Sequence, residues 1–173
     1  MTHVDARDFL GSTPFFAEIL SPSELDALAS AARIVEFDSA SPLIGEGDAS
    51  ETMYVLMQGS VSISIADKSQ DRLVATLPAG EIVGEMSLLT GAPRAATVAA
   101  EEPVVAIEID RSAIRPLLLA EPLLFERFAA MLEKRQTELD KLYGSGLWSL
   151  YGPPRANLAT VIRTYFADLP DHR

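Results

Sequence analysis

The sequence predicts an α+β chain: an antiparallel β-barrel or jelly roll set between N-terminal helices and a C-terminal helical region. Three observations predict it. Between Arg33 and Asp110 apolar residues recur with a period of two in short runs, the pattern of strands with one face covered. Turn-forming residues separate those runs, with no alternating helices, which disfavours a parallel sheet and favours a barrel or jelly roll. On either side of this region the apolar period lengthens to three and four, as on the buried face of a helix.

The elements follow in order. Residues 1–32 form the N-terminal helical segment, with the apolar pairs Phe9-Leu10, Phe15-Phe16 and Ile19-Leu20 interrupted by Pro14. A helix start follows at Ser21-Pro22-Ser23-Glu24, capped by Ser21 or Ser23, and leads into Leu25, Leu28, Ala29 and Ala32 at helical spacing. The barrel occupies residues 33–110, with strands expected at 34–37, 43–44, 53–57, 61–65, 73–77 and 104–109. Gly47, Gly59 and Gly80 fall between strands and are read as turn residues. Residues 111–143 return to the helical period, as a short helix from Ser112 to Leu119 and a long amphipathic one from Leu123 to Tyr143. Residues 144–173 are a linker, broken at Gly144-Ser145-Gly146 and Gly152-Pro153-Pro154, and a terminal amphipathic helix. Its face of Leu158, Val161, Ile162, Tyr165 and Phe166 is too apolar for a solvated tail, so it should dock on the domain or on another subunit.

Composition narrows the function. The chain has 173 residues, 48% of them hydrophobic, enough for one domain with a normal core. Twenty-five acidic against 14 basic residues give a formal net charge of −11, which repels nucleic acid and anionic membranes. Cysteine is absent, so neither disulfides nor a thiol nucleophile is available. The two histidines, His3 and His172, sit at the chain ends and read as solvated residues, so no metal site is expected. No apolar run nears the ~20 residues that a membrane-spanning helix needs, and no charged-then-apolar leader opens the chain; a soluble, cytoplasmic chain without membrane insertion is expected. Nothing resembles a metal cluster, an activated nucleophile or a placed histidine, so the expected function is not enzymatic.

One stretch is too unusual for a plain connection. Residues 80–97 combine Gly84, Glu85, the short helical run Met86-Ser87-Leu88-Leu89, Pro93 and Arg94. Gly84 lets the backbone approach a ligand, the helical turn offers N–H groups at its start, and Arg94 carries a planar guanidinium suited to two phosphate oxygens. Those features suggest an anion site. Glu85 is the misfit, because a carboxylate repels a phosphate unless it accepts hydrogen bonds from something else, and sugar hydroxyls would serve.

The run Gly84-Glu85-Met86-Ser87-Leu88-Leu89, followed by Pro93-Arg94-Ala95-Ala96-Thr97-Val98, resembles the phosphate-binding cassette of cyclic nucleotide-binding domains. The framework from Glu46-Gly47-Asp48 through Tyr54 to Gly59-Ser60-Val61 extends the resemblance to about 100 residues. It implies that Gly84, Met86 and Ser87 offer backbone N–H groups, that Glu85 accepts from the ribose 2′-hydroxyl, and that Arg94 neutralises the cyclic phosphate with help from the backbone of Ala95, beside Ala96. Ile63 and Val74 would line an apolar floor under sugar and base, or belong simply to the barrel core. Members selective for cyclic GMP often carry threonine directly after the arginine; Ala95 stands there, so cyclic AMP is the expected ligand and cyclic GMP the weaker one. Val83 precedes the Gly-Glu pair where a bulkier residue is common, a small packing change.

The resemblance also makes the helix 123–143 a lid over the base, with Arg135, Leu139 and Tyr143 as candidates to meet the ligand, or equally to face solvent or a dimer partner. A regulator of the catabolite-activator type is not expected, because the 30 residues after Tyr143 carry three arginines against two aspartates, too little for a helix-turn-helix. The order of elements resembles sensors attached to channel pores, including mechanosensitive ones. That implies a cyclic AMP sensor, free-standing or tethered to a membrane channel, with a homo-oligomer among the options. The rival from another class is an interaction module that keeps the fold without the ligand.

Overall fold

The computed structural model describes residues 3–143 and 157–167. Helices α1 (His3–Ser12), α2 (Pro14–Ala17) and α3 (Pro22–Ala31) open the chain. Pro14 does not merely interrupt a helix. It starts α2 from the first helical position, where its missing N–H costs nothing. At α3 the cap is Ser21, not Ser23: Ser21 Oγ accepts from the Glu24 N–H at 3.3 Å, and Glu24 Oε1 accepts from the Ser21 N–H at 2.9 Å.

Eight strands follow: β1 (Arg33–Phe37), β2 (Pro42–Ile44), β3 (Thr52–Gln58), β4 (Ser60–Asp67), β5 (Gln70–Pro78), β6 (Ile82–Val83), β7 (Thr97–Ala100) and β8 (Val104–Asp110). They form two four-stranded antiparallel sheets, ordered β1-β8-β3-β6 and β2-β7-β4-β5, so the jelly-roll expectation holds. Strands β6 and β7 were not foreseen. At two and four residues they are too short to show a period, and pairing with β3 and β4 defines them. Four further helices are α4 (Glu85–Thr90), α5 (Arg111–Ala120), α6 (Leu123–Tyr143) and α7 (Leu158–Ala167). The breaks at 144–146 and 152–154, Trp148 and His172 lie outside the described residues, as do the side chains of His3, Leu142 and Tyr143.

The core has two parts that meet at β3 and β8. Tyr54 and Leu56 of β3, with Val104 and Ala106 of β8, point into the barrel against Val61, Leu77 and Val98. Their neighbours Met53, Val55, Ile107 and Ile109 point the other way, into a larger cluster with the helices. Both faces of these strands are covered, which is why their sequences read as continuous apolar runs. Each large side chain buried in this way contributes about 1.5–3 kcal/mol.

Helix α7 docks on the domain, as its apolar face suggested. Leu158, Ile162 and Phe166 are buried in the cluster that also holds Leu88 and Leu89 of α4 and Phe125 and Phe128 of α6. Arg111, at the start of α5, fastens it: the guanidinium lies 4.2 Å from the centre of the Tyr165 ring, donates to Tyr165 O at 3.3 Å and pairs with Glu51 at 2.8 Å. The Tyr165 ring fills the place beside Gly91, the residue that ends α4, where a Cβ would come within 2.5 Å of it. Among the described residues no helix is long and apolar enough to cross a membrane.

Candidate functional site

The stretch 80–97 is held against β3. The Gly80 N–H donates to Leu56 O at 2.7 Å, the Leu56 N–H to Glu81 O at 2.9 Å, and β6 then pairs Val83 with Tyr54. This hairpin delivers Gly84 to the start of α4 with φ +85°, the left-handed region that favours glycine. Space requires glycine as well, since a Cβ there would lie 2.6 Å from Arg94 Nη1 and 2.9 Å from Thr52 O. The Leu88 N–H is the first in α4 to bond back, to Gly84 O at 3.2 Å, so the N–H groups of Glu85, Met86 and Ser87 have no partner within the helix.

Arg94 is fixed by more than Pro93. Its backbone N–H donates to Asp48 O at 3.0 Å and its carbonyl accepts from the Gly47 N–H at 2.8 Å, so the β2–β3 turn clamps it on both sides. The residue is only 3% exposed. Nη1 donates to Gly84 O at 3.1 Å, and Nη2 to Thr52 O at 2.6 Å, Ser50 Oγ at 2.9 Å and Thr52 Oγ1 at 3.0 Å. Every one of these acceptors is neutral. Nε is buried without a partner, and no carboxylate among the described residues forms an ion pair with Arg94. Burial therefore pulls its pKa below the ordinary arginine value, with only partial compensation from Tyr54, Glu85 and Asp48. The guanidinium is thus engaged with protein oxygens at the cavity edge.

Glu85 has a protein partner that the sequence did not indicate. Its carboxylate accepts from Arg135 Nε at 2.8 Å, and Arg135 reaches further to Glu81 at 3.2 Å and to Ile82 O at 2.6 Å. Burial lowers the Arg135 pKa, but the carboxylates of Glu85 and Glu81 outweigh it and hold the group above its ordinary value. Sequence reasoning looked to sugar hydroxyls for the donor that Glu85 needs; the structure shows a second donor, Arg135. A cation from α6, 50 residues away, already neutralises it.

A cavity of about 170 Å³ brings these groups together. Gly84, Glu85, Met86, Ser87, Arg94, Ala95 and Ala96 line it from the stretch 80–97, Ile63 and Val74 from β4 and β5, and Arg135, Gln136 and Leu139 from α6. Ile63 and Val74 are thus partly buried wall residues and not closed core. Val74 owes its position to a bulge: Ile63 pairs with Ala75 and Ser64 with Leu73, so Val74 has no partner and faces the cavity together with Ala75. Of the three lid candidates, Arg135 and Leu139 reach the cavity, while the side chain of Tyr143 lies outside the described residues. Sequence reasoning missed Ser50 and Thr52, which hold Arg94, and Gln136. The last was findable, since it sits four residues after buried Leu132 and three before Leu139 on the inward stripe of α6.

Known proteins carry the same framework. The family model for the cyclic nucleotide-binding domain matches residues 34–121. A cGMP-dependent protein kinase of Eimeria tenella is 34% identical over 112 residues, 65% of this chain and 11% of that protein. The acetyltransferase Pat of Mycolicibacterium smegmatis is 35% identical over 135 residues, 78% of this chain and 40% of that one. The crystal structure of the Thermus thermophilus catabolite activator protein superposes with a TM-score of 0.63 at 30% identity, covering 73% of this chain and 60% of that one. The chain spans only a part of each of these proteins. With the matched residues running from β1 through α5, across the whole barrel and cassette, the chain belongs to the cyclic nucleotide-binding domain family.

Proposed function

We propose that this chain is a sensor that binds cyclic AMP in preference to cyclic GMP and passes the binding event to its C-terminal helices. The observation that carries the reading is Arg94: a buried cation at the cavity edge, bonded to neutral oxygens only, with Nε unpartnered. A buried charge without a counter-ion is costly, and an anion entering the cavity supplies what is missing. The first-turn N–H groups of α4 at Met86 and Ser87, with the backbone at Gly84 and Ala95, favour a phosphate. Arg135 removes the objection that Glu85 would repel that phosphate, and since it bonds Glu85 Oε1 the other oxygen remains for a ribose hydroxyl. Ile63, Val74 and Leu139 offer apolar surface to sugar and base. Ala95 has no hydroxyl to offer guanine.

The activity is binding, without catalysis, and the output depends on how tightly α6 sits over the occupied cavity, a population shift set by the difference in affinity between docked and undocked states. Relatives whose names include a kinase, an acetyltransferase and a transcriptional regulator share this segment, which supports a sensor serving varied effectors; a membrane channel as the effector is a proposal from the order of elements alone. Titration calorimetry with cyclic AMP and cyclic GMP tests the reading. Saturable binding of cyclic AMP, tighter than cyclic GMP, is expected; no binding of either leaves an interaction module that has kept the fold alone.

A further inference from the structure

We infer that Glu46 is a positioning residue for the cavity, its carboxylate tying the hairpin that carries Ile63 and Val74 to the turn that grips Arg94; the inference rests on the cyclic nucleotide reading above. Strand β7 starts at Thr97, opposite Ser64. Beyond that point β4 continues through Ile65, Ala66 and Asp67 with β5 on one side and, among the described residues, no strand on the other. The Ala66 N–H, on that open side, donates to Glu46 Oε2 at 2.8 Å. A side chain thus supplies the acceptor that a longer β7 would have supplied from its backbone. Where β7 would have run, the chain turns instead through Arg94, Ala95 and Ala96, which line the cavity.

Little apolar packing holds this end of the hairpin. Residues 66–73 are all exposed, and a two-stranded ribbon is marginal on its own. The β4–β5 register also shifts between Ile63 and Ser64, the bulge that turns Val74 to the cavity, and a bulge is where a strand bends. A fixed point beyond it therefore decides where Ile63 and Val74 stand. Glu46 gives that point a firm base, because its own N–H donates to Thr97 Oγ1 at 3.1 Å. The next two residues bond the Arg94 backbone, Gly47 through its N–H at 2.8 Å and Asp48 through its carbonyl at 3.0 Å. Glu46 stands outside the cavity lining and sets the separation between the apolar surface for sugar and base and the cation for phosphate.

Two variants separate reach from charge. Glu46→Gln keeps the length and an oxygen acceptor and loses the charge, whereas Glu46→Asp keeps the charge and is shorter by a methylene. Amide exchange of Ala66 and the dissociation constant of cyclic AMP should be measured for the full chain and both variants, with Glu46→Asp also made in a Val74→Ala background. Ala66 should exchange faster in Glu46→Asp and not in Glu46→Gln. Cyclic AMP should bind Glu46→Gln within about twofold of wild type and Glu46→Asp about three- to tenfold more weakly, the scale of one hydrogen bond. With Val74 already cut back, Glu46→Asp should cost clearly less affinity than it does alone. Unchanged exchange or affinity in Glu46→Asp, equal losses in the two variants, or the same loss with and without Val74→Ala overturns the inference and leaves the site reading standing. Failure of the wild type to bind any cyclic nucleotide overturns both.

Discussion

Replacing Arg94 by methionine separates a ligand-binding role from a structural one. The side chains are similar in reach, so the cavity wall is largely kept while the charge and donors go. Two backbone carbonyls, Gly84 O and Thr52 O, lose a donor, a net cost of about 0.5–1.5 kcal/mol each. Against this, a cation that is 97% buried without an ion-pair partner is removed, and its desolvation penalty goes with it. The two effects oppose, so the unliganded variant should stay folded and within about 2 kcal/mol of wild type by urea unfolding. Binding has no such compensation. Losing a charge-assisted hydrogen bond to phosphate costs about 1.5–3 kcal/mol, about tenfold to 150-fold in the dissociation constant of cyclic AMP. Calorimetry on the folded variant reads this directly. A variant that unfolds readily but binds with wild-type affinity refutes the reasoning, and shows that Arg94 serves only to tie α4 to β3.

Three other outcomes are expected. Arg135→Met breaks the pair with Glu85, whose two side chains are 16% and 14% exposed, and should lower stability by about 3 kcal/mol and raise amide exchange in residues 133–139; unchanged exchange would show that the ion pair does not hold α6 down. Gly91→Ala must fit a methyl group at φ +75° against the Tyr165 ring, so stability should fall by about 1–3 kcal/mol, with part of the loss recovered when Tyr165→Ala is added; a purely additive double mutant would mean the ring does not oppose the methyl group. Burial raises the pKa of Tyr54 and Tyr165 above the ordinary 10, so both hold their protons more tightly folded than unfolded. Stability from them is fully present below pH 10 and is lost as pH rises past that value, and an ultraviolet titration should show two of the four tyrosines ionising late.

What could be read from the sequence was whatever is local. The helix start at Ser21, the turn at Gly84 and the spacing from Glu85 to Arg94 are set by neighbours a few residues away. The partners were not visible in that way. Arg135 meets Glu85 only because α6 folds back over 50 residues, and helical spacing ranked it no higher than a surface position. Val74 faces the cavity through a bulge, which exists only once β4 and β5 have chosen a register. Ser50 and Thr52 carry no motif at all. They matter because the strand they precede or begin passes beside the Arg94 side chain.

The ring of Tyr165 occupies the space that any side chain at position 91 would need, so α7 and the end of α4 share one steric volume. Lifting α7 would uncover Gly91 at the end of α4. Under the proposed function, any strengthening of the hold on α7 by nucleotide would be matched by an equal loss of nucleotide affinity when a protein pulls α7 away. A lever of this kind can be read or pulled, and the same helix would let a partner report on the ligand or expel it.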